Sequence, residues 1–301
     1  MVRNKNLRPK ELGADKVFRV INSIFLIFCF LIVLYPLVFI LSCSFSNAQK
    51  VVQNKVWLWP VDPDVEAYKA VFKNKDILIG YKNSLLYVIV GTFISVMLTM
   101  FLAYPLSRKE FYGRNIVTTF ILITMLFSGG MIPLYLVVKN LKLYNTIWAM
   151  VLPNAITVWN VIITRTFLKE NITDELYDAA QIDGCSDIAF LFKIVFPLSG
   201  AIIAVLSLFY AVAQWNKYMD ALLYLQDKSL YPLQIVLRNI LIINSSTPSM
   251  MSDVAAAAKY QGLSQTVRYA VIVVASLPLL VAYPFVQRFF VKGVLIGSVK
   301  G

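Results

Sequence analysis

The 301-residue sequence has no histidine, so it lacks the side chain best placed for general-base work near neutral pH and the commonest nitrogen ligand for zinc. Its three cysteines, Cys29, Cys43 and Cys185, are scattered. They suit neither a thiolate metal cluster nor a disulfide framework, and their expected role is packing. Charge is scarce, at 15% of residues against about 25% in ordinary globular domains. Asp178, Asp183 and Asp187 lie close in sequence, but without histidine they make neither a metal site nor an acid–base pair. No G-x-x-x-x-G-K-[ST] phosphate loop occurs, so no nucleotide site is expected in the chain itself and it is not read as an enzyme. Acidic residues are outnumbered by basic ones, 16 to 28, for a net charge of +12. In a soluble protein that excess points to nucleic acid. The basic tract with interleaved aromatics that stacks on bases is missing, however, and no nucleic-acid partner is expected.

What the sequence has in excess is apolar surface: 59% hydrophobic residues and a mean hydropathy of +0.70. The excess gathers into runs such as Ile24 to Leu41 and Leu85 to Leu106, long enough for the roughly 20 helical residues that cross about 30 Å of hydrocarbon. A soluble helix needs a wetted face, and Ile24 to Tyr35 supplies none. The expected fold is all-α, a polytopic membrane protein with six transmembrane helices in contact with lipid. The segments are Val20 to Cys43, Ser84 to Leu106, Ile116 to Val138, Thr146 to Leu168, Ser199 to Tyr218, and Val267 to Phe290. Pro36, Ser128-Gly129-Gly130 with Pro133, Pro153, Pro278 and Pro284 interrupt them. Such residues mark either bends in a pathway or close helix packing.

An even number of crossings puts both termini on one side, and Arg3, Lys5, Arg8, Lys10, Lys16 and Arg19 argue that this side is cytoplasmic. The first apolar segment exceeds a signal-peptide core and no small-x-small cleavage site follows it, so it is expected to remain as a helix. The chain then divides into a cytoplasmic N-terminal segment (1–19) and a transmembrane domain (20–301) with outer loops at 44–83 and 217–266. Trp57, Trp59, Pro60 and Pro63 read as interfacial anchors in the first outer loop. In the second, Leu230 to Ile243 is short for a span and reads as an interfacial or re-entrant helix, set off by Asn244 to Pro248. A crossing there would put the termini on opposite sides.

The loop at 170–199, on the cytoplasmic side in this reading, reads as helix, turn, helix. Thr173 can cap the first helix, with Asp174 and Glu175 favourably placed in its first turn. Asp183-Gly184 is a turn signal, Ser186 can cap the second helix, and Pro197 stops that helix or bends it into the fifth segment. Ala179 and Ala180 beside the turn, with Ile188, Phe190, Leu191, Phe192 and Ile194 after it, make either a knob that docks in a partner's groove or a hairpin lying on the membrane.

These residues resemble the signature of permease subunits of sugar-importing ATP-binding-cassette (ABC) transporters of type I architecture, similar to maltose-permease G-type subunits and to those of polysaccharide and oligosaccharide uptake systems. The family loop reads Glu-Ala-Ala, three residues, Gly, twelve residues, Pro. This chain has Asp178-Ala179-Ala180, three residues, Gly184, and after twelve more Pro197. Asp178 departs from the family Glu, keeping the charge with a shorter reach. Trp215-Asn216 and the C-terminal Gln287 to Gly301 extend the resemblance over essentially the whole chain. The resemblance implies import of a sugar by alternating access in a bacterial cytoplasmic membrane. The implied partners are a second, non-identical permease, two ATP-binding subunits that use ATP and Mg, and an extracytoplasmic solute-binding protein, with no cofactor in this chain. Glu175, Asp178, Ala179, Ala180, Asp183, Gly184 and Pro197 would meet the ATPase. For the sugar path the candidates are Asn154, Thr157, Trp159, Asn160, Tyr210, Gln214, Trp215 and Asn216, since amides and aromatic rings suit a sugar and polar groups at membrane depth are functional candidates. Packing between helices is the other reading of these residues. A permease for another solute and a structural subunit of a membrane complex remain the alternatives, because the loop reports the motor and not the cargo.

Overall fold

The computed structural model describes residues 13–243, 262–281 and 283–284. The basic residues of positions 1–12, the Asn244 to Pro248 break and the Gln287 to Gly301 motif lie outside the described residues. Among the described residues every regular element is helical, apart from an antiparallel bridge between Ser46 and Pro63. In chain order the helices are α1 (Gly13–Ser44), α2 (Ala48–Val52), α3 (Glu66–Lys73), α4 (Lys75–Ser107), α5 (Arg114–Leu126), α6 (Met131–Asn140), α7 (Trp148–Val151), α8 (Val158–Asn171), α9 (Asp174–Ile182), α10 (Asp187–Phe190), α11 (Phe196–Leu198), α12 (Gly200–Trp215), α13 (Met219–Tyr224), α14 (Leu233–Ile243) and α15 (Gly262–Val281). Three of them, α1, α4 and α15, are long and apolar enough to cross a membrane. Two bent pairs, α5 with α6 and α10–α11 with α12, raise the number to five if each pair is one span.

The described residues fall into two compact units. In the first, residues 1–71 and 246–273, α1 exposes Phe25, Phe28, Phe30, Leu31 and Val33 around its circumference, as expected of a helix solvated by lipid. At its end Cys43, Val51 and Val56 form a small core with Phe39, Val61 and Tyr269. The chain after α1 is an irregular cap held by hydroxyls. Ser42 Oγ donates to the Leu58 carbonyl at 2.6 Å, and Ser46 Oγ accepts from the Val61 amide at 3.0 Å. Trp57 and Trp59 are exposed on it.

In the second unit, residues 72–245 and 274–301, α4 is the central post, packed by α12, α8, α14, α5 and α7. Its core side chains Val96, Met100 and Ala103 meet Val161 and Leu168 of α8 and Ile202, Leu206 and Tyr210 of α12. The helix begins at Lys75, capped by Asn74, so residues 75–83 are helix where the sequence reading had loop. Polar residues near its start find partners outside the helix. Asn83 Nδ2 donates to the carbonyls of Ser229 (2.7 Å) and Tyr231 (3.0 Å), and Ser84 Oγ accepts from the Leu233 amide at 2.9 Å. These bonds dock α14 against α4. A Cβ on Gly80 would lie 3.0 Å from the Leu233 Cα, so a side chain there would push the two backbones apart by a few tenths of an ångström. Leu230 to Ile243 therefore contains a docked helix of 11 residues, too short to span.

The third and fourth segments are broken. Ser128 to Gly130 separates α5 from α6, which meet at 115°, with Gly130 at φ 84°. In place of one helix across Thr146 to Leu168 there are two, α7 and α8. Pro153 and Asn154, the latter at φ 59°, lie between them. The reason is local: proline lacks the amide a continuing helix requires, and asparagine tolerates the left-handed conformation. Carbonyls at the break are taken up by Lys217, whose Nζ donates to the Met150 carbonyl at 3.0 Å and the Pro153 carbonyl at 3.3 Å. Burial pushes the Lys217 ammonium below its ordinary pKa, opposed by the neighbouring Asp220.

Candidate functional site

The 170–199 loop folds as its residues dictate. Thr173 occupies the N-cap position of α9 in extended backbone, but its hydroxyl makes no capping bond to the helix amides. It bonds the Glu175 side chain instead, and this, with a backbone amide, holds the Glu175 carboxyl below its ordinary pKa. α9 ends in two reverse bonds, Gly184 N to Gln181 O (2.9 Å) and Cys185 N to Ala180 O (2.9 Å). This is the Schellman arrangement, which needs a left-handed residue at the first position beyond the cap; Gly184 supplies it at φ 76°. Ser186 then caps α10, accepting from the Ala189 amide. The helix continues through a π turn, Leu191–Val195, into α11. Pro197 accounts for the widened turn, because it lacks an amide for the carbonyl of Lys193 and its ring crowds that carbonyl. The bend into α12, 81°, falls at Ser199, two residues after Pro197.

The loop presents two faces. Asp178, Ala179, Ile182, Asp183, Gly184, Ile188 and Pro197 are exposed, and Glu175 lies with them. Ile182 and Ile188 are 87% and 72% exposed, large apolar side chains without cover. Ala180, expected to face a partner, instead points inward and packs with Phe190, Leu191 and Val195 in the unit's core. The apolar stretch after the turn is thus divided, with Phe190 and Leu191 supporting the hairpin from within and Ile188 and Phe192 left outside.

Beneath the hairpin, the end of α4 grips it. The Arg108 guanidinium lies 4.2 Å from the centre of the Tyr177 ring, with Asp174 at 3.8 Å and Glu110 at 3.6 Å. Lys109 Nζ meets Asp174 at 2.7 Å. That hydrogen bond holds the Asp174 carboxyl below its ordinary pKa and the Lys109 ammonium above its own. Tyr177 donates to Asp187 Oδ1 at 2.6 Å and accepts from Gln181 at 2.7 Å, tying the two loop helices together; the bond to Asp187 pushes the phenol pKa up. Tyr177 also meets Phe190 edge-on at 5.2 Å.

The residues singled out for the solute path divide as well. Tyr210 bonds Thr99 of α4 at 2.7 Å and accepts from the Thr157 amide at 3.3 Å, so it joins α4, α12 and the start of α8. One turn on, Gln214 and Trp215 are buried, with Gln214 Oε1 and Trp215 Nε1 unpartnered among the described residues. Gln214 lies against Gly91, where a Cβ would stand 2.5 Å from its Nε2. Asn160 is buried on α8. Asn154 and Trp159 are exposed, and Asn216 bonds back to Val212 of the helix it caps. Thr92, Ser95 and Thr99, which the sequence reading passed over, repeat at helical spacing along α4, and the Thr92 and Ser95 hydroxyls are buried without partners among the described residues. That stripe was visible in the sequence as hydroxyls every three or four residues inside an apolar run.

Models of known protein families return no match to this chain. It is 42% identical, over 95% of its length and 99% of the relative, to the polygalacturonan/rhamnogalacturonan transport system permease protein YtcP of Bacillus subtilis (strain 168). It is 41% identical, over 96% of each chain, to Protein LplC of the same organism. Among solved structures it is similar to a chain in the crystal structure of a bacterial ABC transporter involved in the import of the acidic polysaccharide alginate. There the TM-score is 0.84 and the identity 30%, over 94% of this chain and 99% of the other.

Proposed function

This chain belongs to the permease subunits of carbohydrate ABC importers, and from that premise we propose that it carries an acidic, polymer-derived oligosaccharide inward, driven by separate ATPase subunits seated on its 170–199 loop. The substrate class is supported by relatives named for polygalacturonan/rhamnogalacturonan and for alginate. The docking role is carried by one observation: the hairpin leaves Ile182 and Ile188 uncovered beside Asp178 and Asp183, while its inner face is already packed. An apolar centre rimmed by acids suits a protein cleft better than a phosphate-bearing bilayer surface. Six crossings with both termini cytoplasmic complete the reading, with α7 and α8 together forming the crossing that length alone does not mark. A second permease and an outer solute-binding protein complete the assembly.

The chain's own part is mechanical. ATPase closure moves the hairpin, the hairpin moves the helices packed on it, and the passage opens alternately to each side. In the passage, Tyr210 with Thr99, and Gln214 with Trp215, are the groups that would touch sugar hydroxyls. The test is uptake by the complex reconstituted in liposomes with solute-binding protein, comparing unsaturated and saturated oligouronides with neutral oligosaccharides of equal length. Uptake of the uronides, with hydrolysis stimulated by their loaded binding protein, is expected. Response to neutral sugars alone overturns the acidic class, and response to no sugar overturns the cargo reading.

A further inference from the structure

The chain runs continuously from the hairpin into α12, which makes α12 the obvious receiver of any movement, yet the two are separated by an 81° bend at Ser199. The side chains tell a different story. Along the last turns of α4 and at its cap, Phe101, Tyr104 and Arg108 each hold part of the hairpin. Phe101 meets Phe192 at 5.9 Å and Phe196 at 6.4 Å, Tyr104 meets Phe190 at 6.4 Å, and Arg108 covers Tyr177. Arg108 is 7% exposed. Its Nε and Nη2 make no hydrogen bond among the described residues, so its charge is met mainly by the Tyr177 face and by carboxylates at ion-pair range. A desolvated cation over a ring is held more tightly than an exposed one, and a guanidinium stacks flat where an ammonium cannot. The other end of the same helix segment bonds Tyr210 through Thr99, and Tyr210 in turn bonds the amide at the start of α8.

We infer that Arg108 is a positioning residue for energy coupling: stacked on Tyr177, it makes the hairpin and α4 turn as one body, so that movement reaches the passage through α4 and the Thr99–Tyr210 bond. This rests on the reading of the hairpin as the ATPase-docking element. A buried planar cation at the crossing of two moving parts resists shear because sliding would take it off the ring and away from the Asp174 and Glu110 carboxylates at its edge. The Lys109–Asp174 bond, being exposed, limits rotation about that point but cannot replace it.

The test uses the full reconstituted complex and reads two quantities, ATPase co-purification and ATP hydrolysed per sugar imported. Tyr177→Leu and Arg108→Gln are expected to keep the ATPase bound while the ratio rises about fivefold or more, the lower end of ordinary coupling energies. Tyr177→Phe, which keeps the ring, is expected to hold the ratio near wild type, and Arg108→Lys to fall between. A merely structural role would lower assembly and leave the ratio of the assembled fraction unchanged. Wild-type ratios in both Tyr177→Leu and Arg108→Gln, alongside uncoupling in Gly184→Val, overturn the role of Arg108 and leave the docking reading standing. Wild-type co-purification together with a wild-type ratio in Gly184→Val as well overturns both. Equal damage from Tyr177→Phe and Tyr177→Leu also overturns the proposal, since the hydroxyl and not the stacked ring would then hold the hairpin.

Discussion

At Gly184 backbone conformation, and not room for a side chain, limits which residue fits. A Cβ there would meet nothing within 4 Å, so crowding inside the chain is not what glycine avoids. The constraint is φ at 76°, where a β-branched side chain costs about 1–2 kcal/mol and asparagine much less. Gly184→Val is therefore expected to distort the turn and weaken ATPase co-purification and stimulated hydrolysis, with Gly184→Asn milder on both measures. Valine and asparagine with equal effects would mean that bulk at the partner surface, and not backbone conformation, sets the requirement. The turn itself was legible, because Asp-Gly followed by a serine cap is a local signal. The inward direction of Ala180 was not. It depends on which face of a nine-residue helix meets α4, and that is settled by Arg108 and Tyr104, about seventy residues away in sequence.

At the scale of the element, breaks matter more than lengths. The break between α7 and α8 was legible only as a proline, since what holds it open is Lys217 beyond the end of α12. Lys217→Met is expected to destabilise this region by about 1–3 kcal/mol, the cost of leaving buried acceptors unsatisfied, read as a lower unfolding temperature in detergent. Adding Asp220→Asn is expected to recover part of it by removing the unpaired carboxylate 3.6 Å away. The long apolar helices α1 and α4 were plain from composition, because lipid as solvent asks for length and little else. The docking of α14 was half plain: its shortness could be counted, but the bonds from Asn83 and Ser84 could not.

For the whole molecule, chain connectivity carries the argument. In the proposed six-crossing topology α4 crosses once, which would put the first outer loop and the loop that follows Arg108 on opposite faces of the membrane. Single cysteines at Trp57 and at Ile182, placed in a background lacking Cys29, Cys43 and Cys185, are expected to react with impermeant reagent from outside cells and from inside vesicles respectively. Labelling of both positions from one face would overturn the six-crossing topology. The family and the helix–turn–helix form of its signature loop were readable from the sequence, while which hydroxyls and amides meet, as Thr99 and Tyr210 do, appears only when the helices bring them together.

The corner between α5 and α6 carries a consequence for how the protein is made. Thirteen residues of α5 rise about 20 Å and ten of α6 about 15 Å, so neither piece alone traverses a hydrocarbon layer of roughly 30 Å. During biosynthesis, however, the insertion machinery weighs hydrophobicity along the nascent chain, and Ile116 to Val138 weighs as a single apolar segment. On that weighing the region is expected to enter the bilayer as one segment and to bend at Gly130 afterwards, once neighbouring helices receive the backbone groups the corner frees.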